Sequence, residues 1–152
     1  MNLLMLGSGI IKRDGWMTLD CNPSRHADFV ATIPPLPDAV KAVAWDEIEW
    51  IHGVTSLYPW DAKQVLKELH AVLAPGGKLI LEQPDAHKCH PCEHPEWLFG
   101  DPDLRDPLHM ARWTYSPMHL QVLLERIGFS RVDILPAQHH LPERDFRAEA
   151  YP

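Results

Sequence analysis

The segment Ala74-Pro75-Gly76-Gly77-Lys78-Leu79-Ile80-Leu81-Glu82-Gln83-Pro84-Asp85 constrains the fold more than any other. Before it, Ala62, Val65, Leu66, Leu69, Val72 and Leu73 recur at i, i+3, i+4, i+7, i+10 and i+11, with Asp61, Lys63, Gln64, Lys67 and Glu68 facing away. One apolar stripe opposite a charged side is the pattern of a helix laid on a sheet. Proline cannot continue a helix and glycine accepts the left-handed turn, so Pro75-Gly76-Gly77 is expected to end it. Lys78–Glu82 then returns as a central strand. Strands alternating with helices imply an α/β sheet with layers on its faces.

The rest of the chain supplies the other elements of such a sheet. Residues 2–6 form a continuous apolar run, as in a strand buried on both faces. No positive residue precedes it and Gly7-Ser8-Gly9 ends it early, so it is expected to be a buried strand rather than a signal peptide or a membrane span. A second strand ends near Leu19, a third covers roughly Ala27–Val30, and Asp38–Val43 reads as a short helix. Glu47–His52 reads as a fourth strand with Ile48 and Trp50 on one face. A second amphipathic helix runs from Pro117 to Ile127 with its stripe at Leu120, Leu123, Leu124 and Ile127. Ser116 is its N-cap and Gly128 its C′ residue. Val132–Leu135 and Phe146–Tyr151 are the last strands, paired antiparallel. Eight of the 15 prolines fall within Pro34–Pro37 and Pro84–Pro107, so residues 86–115 should be an irregular insertion.

At 152 residues the chain is expected to form one domain, residues 1–152. A net charge of −7 without any Lys/Arg run argues against a nucleic-acid partner. Three cysteines do not make a secreted disulfide framework, so the expected location is cytoplasmic.

Ligands of open α/β sheets bind outside the carboxyl ends of the strands. Gly7, Ser8 and Gly9 follow the first strand, where glycine lets backbone N–H groups approach a ligand; the alternative is a plain tight turn. Asp20 closes the second strand, where a carboxylate can accept both hydroxyls of a ribose. Its alternative is a turn residue before Cys21-Asn22-Pro23.

This order of strand and glycine loop, strand and acid, then helix, Pro-Gly-Gly and strand resembles the class I S-adenosylmethionine-dependent methyltransferases. The likeness is to small type 11-like members whose glycine loop is followed at once by Gly-Trp and a strand ending in Asp, here Gly15-Trp16-Met17-Thr18-Leu19-Asp20. The resemblance implies a Rossmann-like sheet, mostly parallel with an antiparallel C-terminal strand, and reduced helices at the N-terminus. It implies S-adenosylmethionine as cofactor and a small-molecule or saccharide acceptor. Gly7, Ser8 and Gly9 would hold the methionine end and Asp20 the ribose. Thr32 stands where the family often places an acid for adenine. Where the family commonly reads His-x-x-Glu-His, this chain has His52-Gly53-Val54-Thr55-Ser56, which keeps the first histidine only. Ile10–Gly15 leaves no room for a full helix between the first two strands.

Candidates for touching the acceptor are His52, Asp85 and His109. Their alternatives are a strand cap, the Pro84 turn and a solvated loop residue. Trp97, Phe99, Trp113 and Tyr115 would wall a pocket or form the core under the insertion. The run His87-Lys88-Cys89-His90-Pro91-Cys92-Glu93-His94 contains a Cys-x-x-Cys spacing suited to half a zinc site. His139-His140 is the only second ligand pair by type, so free thiols are the stronger expectation and no metal ligand is assigned. A competing expectation is a methyltransferase-fold domain without catalysis, acting as a binding or assembly module. In either case an open flank could be completed by a twin subunit, as a homodimer.

Overall fold

The computed structural model describes residues 1–152. Seven strands form one sheet: β1 (Leu3–Leu6), β2 (Trp16–Asp20), β3 (Phe29–Val30), β4 (Trp45–Ile51), β5 (Leu73–Pro84), β6 (Arg131–Pro136) and β7 (Asp145–Tyr151). Their order is β3-β2-β1-β4-β5-β7-β6, and only β7 runs against the rest. The order reverses between β1 and β4, so the ends of those two strands mark the crevice where such sheets take ligands.

Alternation along each strand sorts the side chains onto two faces. Leu4, Leu6, Leu19, Ile48, Trp50, Leu79, Leu81, Phe146, Ala148 and Ala150 join a single core with Val40 from α1 (Asp38–Lys41), Val65, Leu66 and Leu69 from α2 (Pro59–Val72), and Leu120 and Leu124 from α4 (Pro117–Ile127). The caps of α4 are as expected: the Ser116 hydroxyl accepts from His119 N–H, and Gly128 follows with φ 129°.

The second face has no such helical layer, which corrects the expectation of layers on both faces. The β1–β2 and β2–β3 connections are too short, and they hold only loops and a 3-10 turn at Pro23–Arg25. This face carries Thr18, Glu49, Glu82, Asp145 and Arg147, all buried. Loops cover it through polar bonds. Arg13 reaches Glu49 at 2.6 Å, His139 reaches the same carboxylate at 2.6 Å, and Lys12 bonds Thr18. Glu82 accepts the backbone N–H groups of Gln138, His139 and His140 at 2.9, 2.8 and 2.8 Å. Burying carboxylates is tolerable only because each is paired or hydrogen-bonded in this way.

The helix preceding Pro-Gly-Gly stops earlier than expected. Val72 is its last residue, and Leu73 is already extended and paired with Trp45. The residue before a proline disfavours the helical region, which moves the exit upstream. Pro75-Gly76-Gly77 instead absorbs a register shift against β4. A Cβ on Gly77 would lie 2.8 Å from the Trp45 carbonyl oxygen, so only glycine fits this close backbone approach.

Tyr115, expected at a pocket wall or in the core, lies in the core with its hydroxyl unpartnered. Burial pushes its phenol up to about 12. Tyr115→Phe removes an unsatisfied buried group, so stability should hold or rise by about 1 kcal/mol, read from the urea midpoint.

Candidate active site

A cavity of about 850 Å³ opens over the carboxyl ends of β1, β2 and β4, within the range of small-molecule sites. Two halves meet in it. The first contains Gly7, Gly9, Asp20, Asn22, Arg25 and Thr32. Gly7 and Gly9 have φ of 60° and 56°, and space is open where a Gly9 Cβ would stand. Gly9 N–H donates to Asp20 Oδ2 at 2.9 Å and Asn22 N–H to Oδ1 at 2.8 Å. Each carboxylate oxygen keeps a lone pair beyond these bonds. Asp20 thus organises the glycine loop and also lines the cavity. Ser8 differs from its neighbours: it is buried, its hydroxyl has no partner, and it does not line the cavity.

The second half is formed by the end of β4 and by the insertion. His52 lines it with φ 56°, a left-handed backbone that non-glycine residues seldom hold. Trp97 and Leu98 from α3 (Pro95–Phe99), then Asp106, His109 and Arg112, close the roof. His109 is exposed, and its Nδ1 lies 2.9 Å from Asp106 Oδ2. The Leu108 N–H and the His109 ring hold the Asp106 carboxyl below its ordinary range. Arg112 bonds the Ser56 carbonyl and lies over the Tyr58 ring.

Asp85 is not brought into the cavity. It is buried, accepts from His87 N–H at 2.9 Å, and donates its own N–H to the Arg144 carbonyl. The turn after Pro84 occupies this carboxylate. Phe99 and Trp113 are exposed away from the lining, so of these aromatics only Trp97 lines the cavity, beside Trp50 and Tyr58. The Cys-x-x-Cys run does not converge either: Cys89 is buried with Sγ toward the Arg144 carbonyl, and Cys92 is exposed. Three donors do converge elsewhere, on His52, His140 and Asp145.

That cluster escaped sequence reasoning. Asp145 Oδ2 lies 2.5 Å from His52 Nε2, and Arg144 grips both oxygens of the same carboxylate, at 2.5 and 2.8 Å. The His140 ring stacks on His52 with centroids 4.1 Å apart. Burial pushes the Asp145 carboxyl up, but the bonds from His52 and Arg144 outweigh it and leave the group below its ordinary value. Burial, then the neighbouring His52, pulls His140 down. Both folded values lie below the unfolded ones, so both groups stabilise the fold at high pH and lose that contribution on acidification. His140 begins to act below about pH 6.5, and Asp145 below about pH 4. Melting temperature should therefore fall from neutral pH downward, most steeply below about pH 4, in a thermal scan across buffers.

No protein-family model and no curated protein matches this sequence. Solved structures do match over nearly its whole length. A SAM-dependent methyltransferase from Archaeoglobus fulgidus superposes with TM-score 0.67 at 15% identity, covering 98% of this chain and 85% of that one. A SAM-dependent methyltransferase from Thermotoga maritima gives 0.68 at 15% identity, covering 98% and 81%. The glycopeptide N-methyltransferase MtfA, solved with sinefungin, gives 0.69 at 13% identity, covering 99% and 86%. The fold is that of the class I SAM-dependent methyltransferases. Within that fold the sheet order, the antiparallel β7 and the cavity above the β1/β4 reversal are as described, while the β1–β2 and β2–β3 helices are absent. No helix is long and apolar enough to cross a membrane.

Proposed function

We propose that the protein binds S-adenosylmethionine and transfers its methyl group to a small-molecule or saccharide acceptor. The observation that carries this is the junction of Gly7, Gly9 and Asp20 at one end of a cavity whose other end is roofed by the insertion. Five carboxylates line it (Asp20, Asp61, Glu96, Asp101 and Asp106) against three guanidinium groups (Arg25, Arg112 and Arg144). An acidic lining suits a cofactor that carries a sulfonium and an ammonium. The residues fit the group: Gly7 and Gly9 would face its methionine end, Asp20 its ribose and Thr32 its adenine. When bound, the cofactor supplies a methyl group on sulfur, open to direct displacement.

The chain's own part is alignment and proton removal. His52, fixed at the acceptor side, is the residue suited to take a proton from the acceptor. His109 is freer and follows the roof. The helix-free β1–β2 connection favours a second reading, a binding module without turnover. Calorimetric titration with S-adenosylmethionine and S-adenosylhomocysteine tests the first step. Micromolar affinity, on the order of −8 kcal/mol, is expected. Absence of binding to folded protein would overturn the proposal, and binding without turnover on any acceptor would favour the second reading.

A further inference from the structure

His52 is constrained from every side, and the constraints come from distant parts of the chain. Its N–H donates to the Glu82 carbonyl at 2.7 Å, and its own carbonyl accepts from the Thr55 hydroxyl. Its backbone stays left-handed, its ring is stacked by His140, and its Nε2 meets the first residue of β7. His140 is in turn placed by the Glu82 carboxylate, which accepts its backbone N–H.

The proton positions follow from these distances. At 2.5 Å from an ionised carboxylate, Nε2 must carry the hydrogen and donate it. Arg144 Nη2, itself a donor, is 3.4 Å from the same nitrogen, too far and of the wrong kind to compete. Nδ1 then holds the free lone pair. It has no protein partner, and it is not among the buried polar atoms left unsatisfied, so solvent reaches it in a residue that lines the cavity. Asp145 is fully buried and meets no acceptor; its carboxylate serves His52 and Arg144 alone.

We propose that Asp145, clamped by Arg144, is the positioning residue that fixes His52 as the Nε2–H tautomer and so makes Nδ1 the proton acceptor of the site. This rests on the methyltransferase reading. As the acceptor gains its methyl group it loses a proton, which passes to His52 Nδ1. The resulting imidazolium faces the Asp145 carboxylate, and the proton leaves from Nδ1 to solvent. Arg144 keeps Asp145 ionised, so the carboxylate stabilises that charge without taking the proton. The same logic holds in the serine protease triad, where an amide in place of the aspartate leaves the geometry but reverses the histidine tautomer.

The test is long-range ¹H–¹⁵N correlation on protein labelled with ¹⁵N-histidine, at about pH 8 where free imidazole is neutral. His52→Gln assigns the signal. Wild type should show His52 with hydrogen on Nε2 and a bare Nδ1. Asp145→Asn should move the hydrogen to Nδ1, because the carboxamide can donate to Nε2. Mass-spectrometric mapping should then show His52 reacting with diethyl pyrocarbonate roughly tenfold or more slowly than in wild type. A wild-type Nδ1–H tautomer, or an unchanged tautomer in Asp145→Asn, would overturn the proposal. If that variant does not fold, the wild-type tautomer decides alone. Titration of the same samples with S-adenosylhomocysteine separates the two readings. Wild type that fails to bind it sinks the methyltransferase reading, whereas binding with the wrong tautomer sinks only the role of Asp145.

Discussion

Asp20→Ala is expected to weaken S-adenosylhomocysteine by about 100-fold, from two lost charge-assisted hydrogen bonds worth together about 3 kcal/mol. The carboxylate has two tasks. It accepts Gly9 and Asn22 N–H groups, which shape the glycine loop, and it presents its remaining lone pairs to the cavity. Alanine removes both, leaving two backbone donors near the cavity to water. Asp20→Asn separates the tasks, because one oxygen remains to accept while the charge and the second acceptor are lost. One of the two loop N–H groups then faces an amide N–H₂, so stability should lie between wild type and alanine, with intermediate affinity. Calorimetry checks the affinities and thermal melting checks the fold. Unchanged affinity in Asp20→Ala would place the cofactor elsewhere.

Glu82→Ala should cost about 3–5 kcal/mol, the usual penalty for removing one partner from a buried charged network. That is a large part of the 5–15 kcal/mol typical of a domain. The side chain is fully buried in the central strand and holds three consecutive N–H groups of the 138–140 loop, with Arg147 Nη1 3.9 Å away. Without it the loop loses its attachment and Arg147 is left buried with Glu149 as its partner. Glu82→Gln keeps one acceptor but turns an amide N–H₂ toward a backbone N–H. Its cost should lie between wild type and alanine. Urea midpoints of the three proteins measure this order, and equal midpoints would show that the loop is held by other contacts.

Glu82 also shows where sequence reasoning stops. As part of Lys78–Glu82 it reads correctly as strand, because propensity and the preceding turn are local. Nothing local shows that its carboxylate is buried, since a charged residue alternating with apolar ones ordinarily marks a solvated face. The same holds for Asp145 and Arg147, which alternate with Phe146 and Ala148. Their covering is not a helix with a readable stripe but loops joined by hydrogen bonds, and such loops have no period. Asp85 illustrates the converse. Its place after a central strand suggested the site, but a proline turn drew its carboxylate into the backbone.

The sequence by itself determined the elements and the sheet type: the stripe of α2, the Ser116 and Gly128 caps, the apolar β1, and the order of glycine loop and Asp20. These follow from contacts within a few residues, where spacing alone decides which groups meet. It also pointed to His52, because a strand end can be located from its pattern. Only the tertiary structure decided what His52 meets. Asp145 stands 93 positions away in the chain, and His140 and Arg144 are nearly as distant. Their approach depends on β7 pairing antiparallel to β5 and on Glu82 holding the preceding loop. Such a contact follows from register and loop closure over the whole sheet, and no local pattern encodes it.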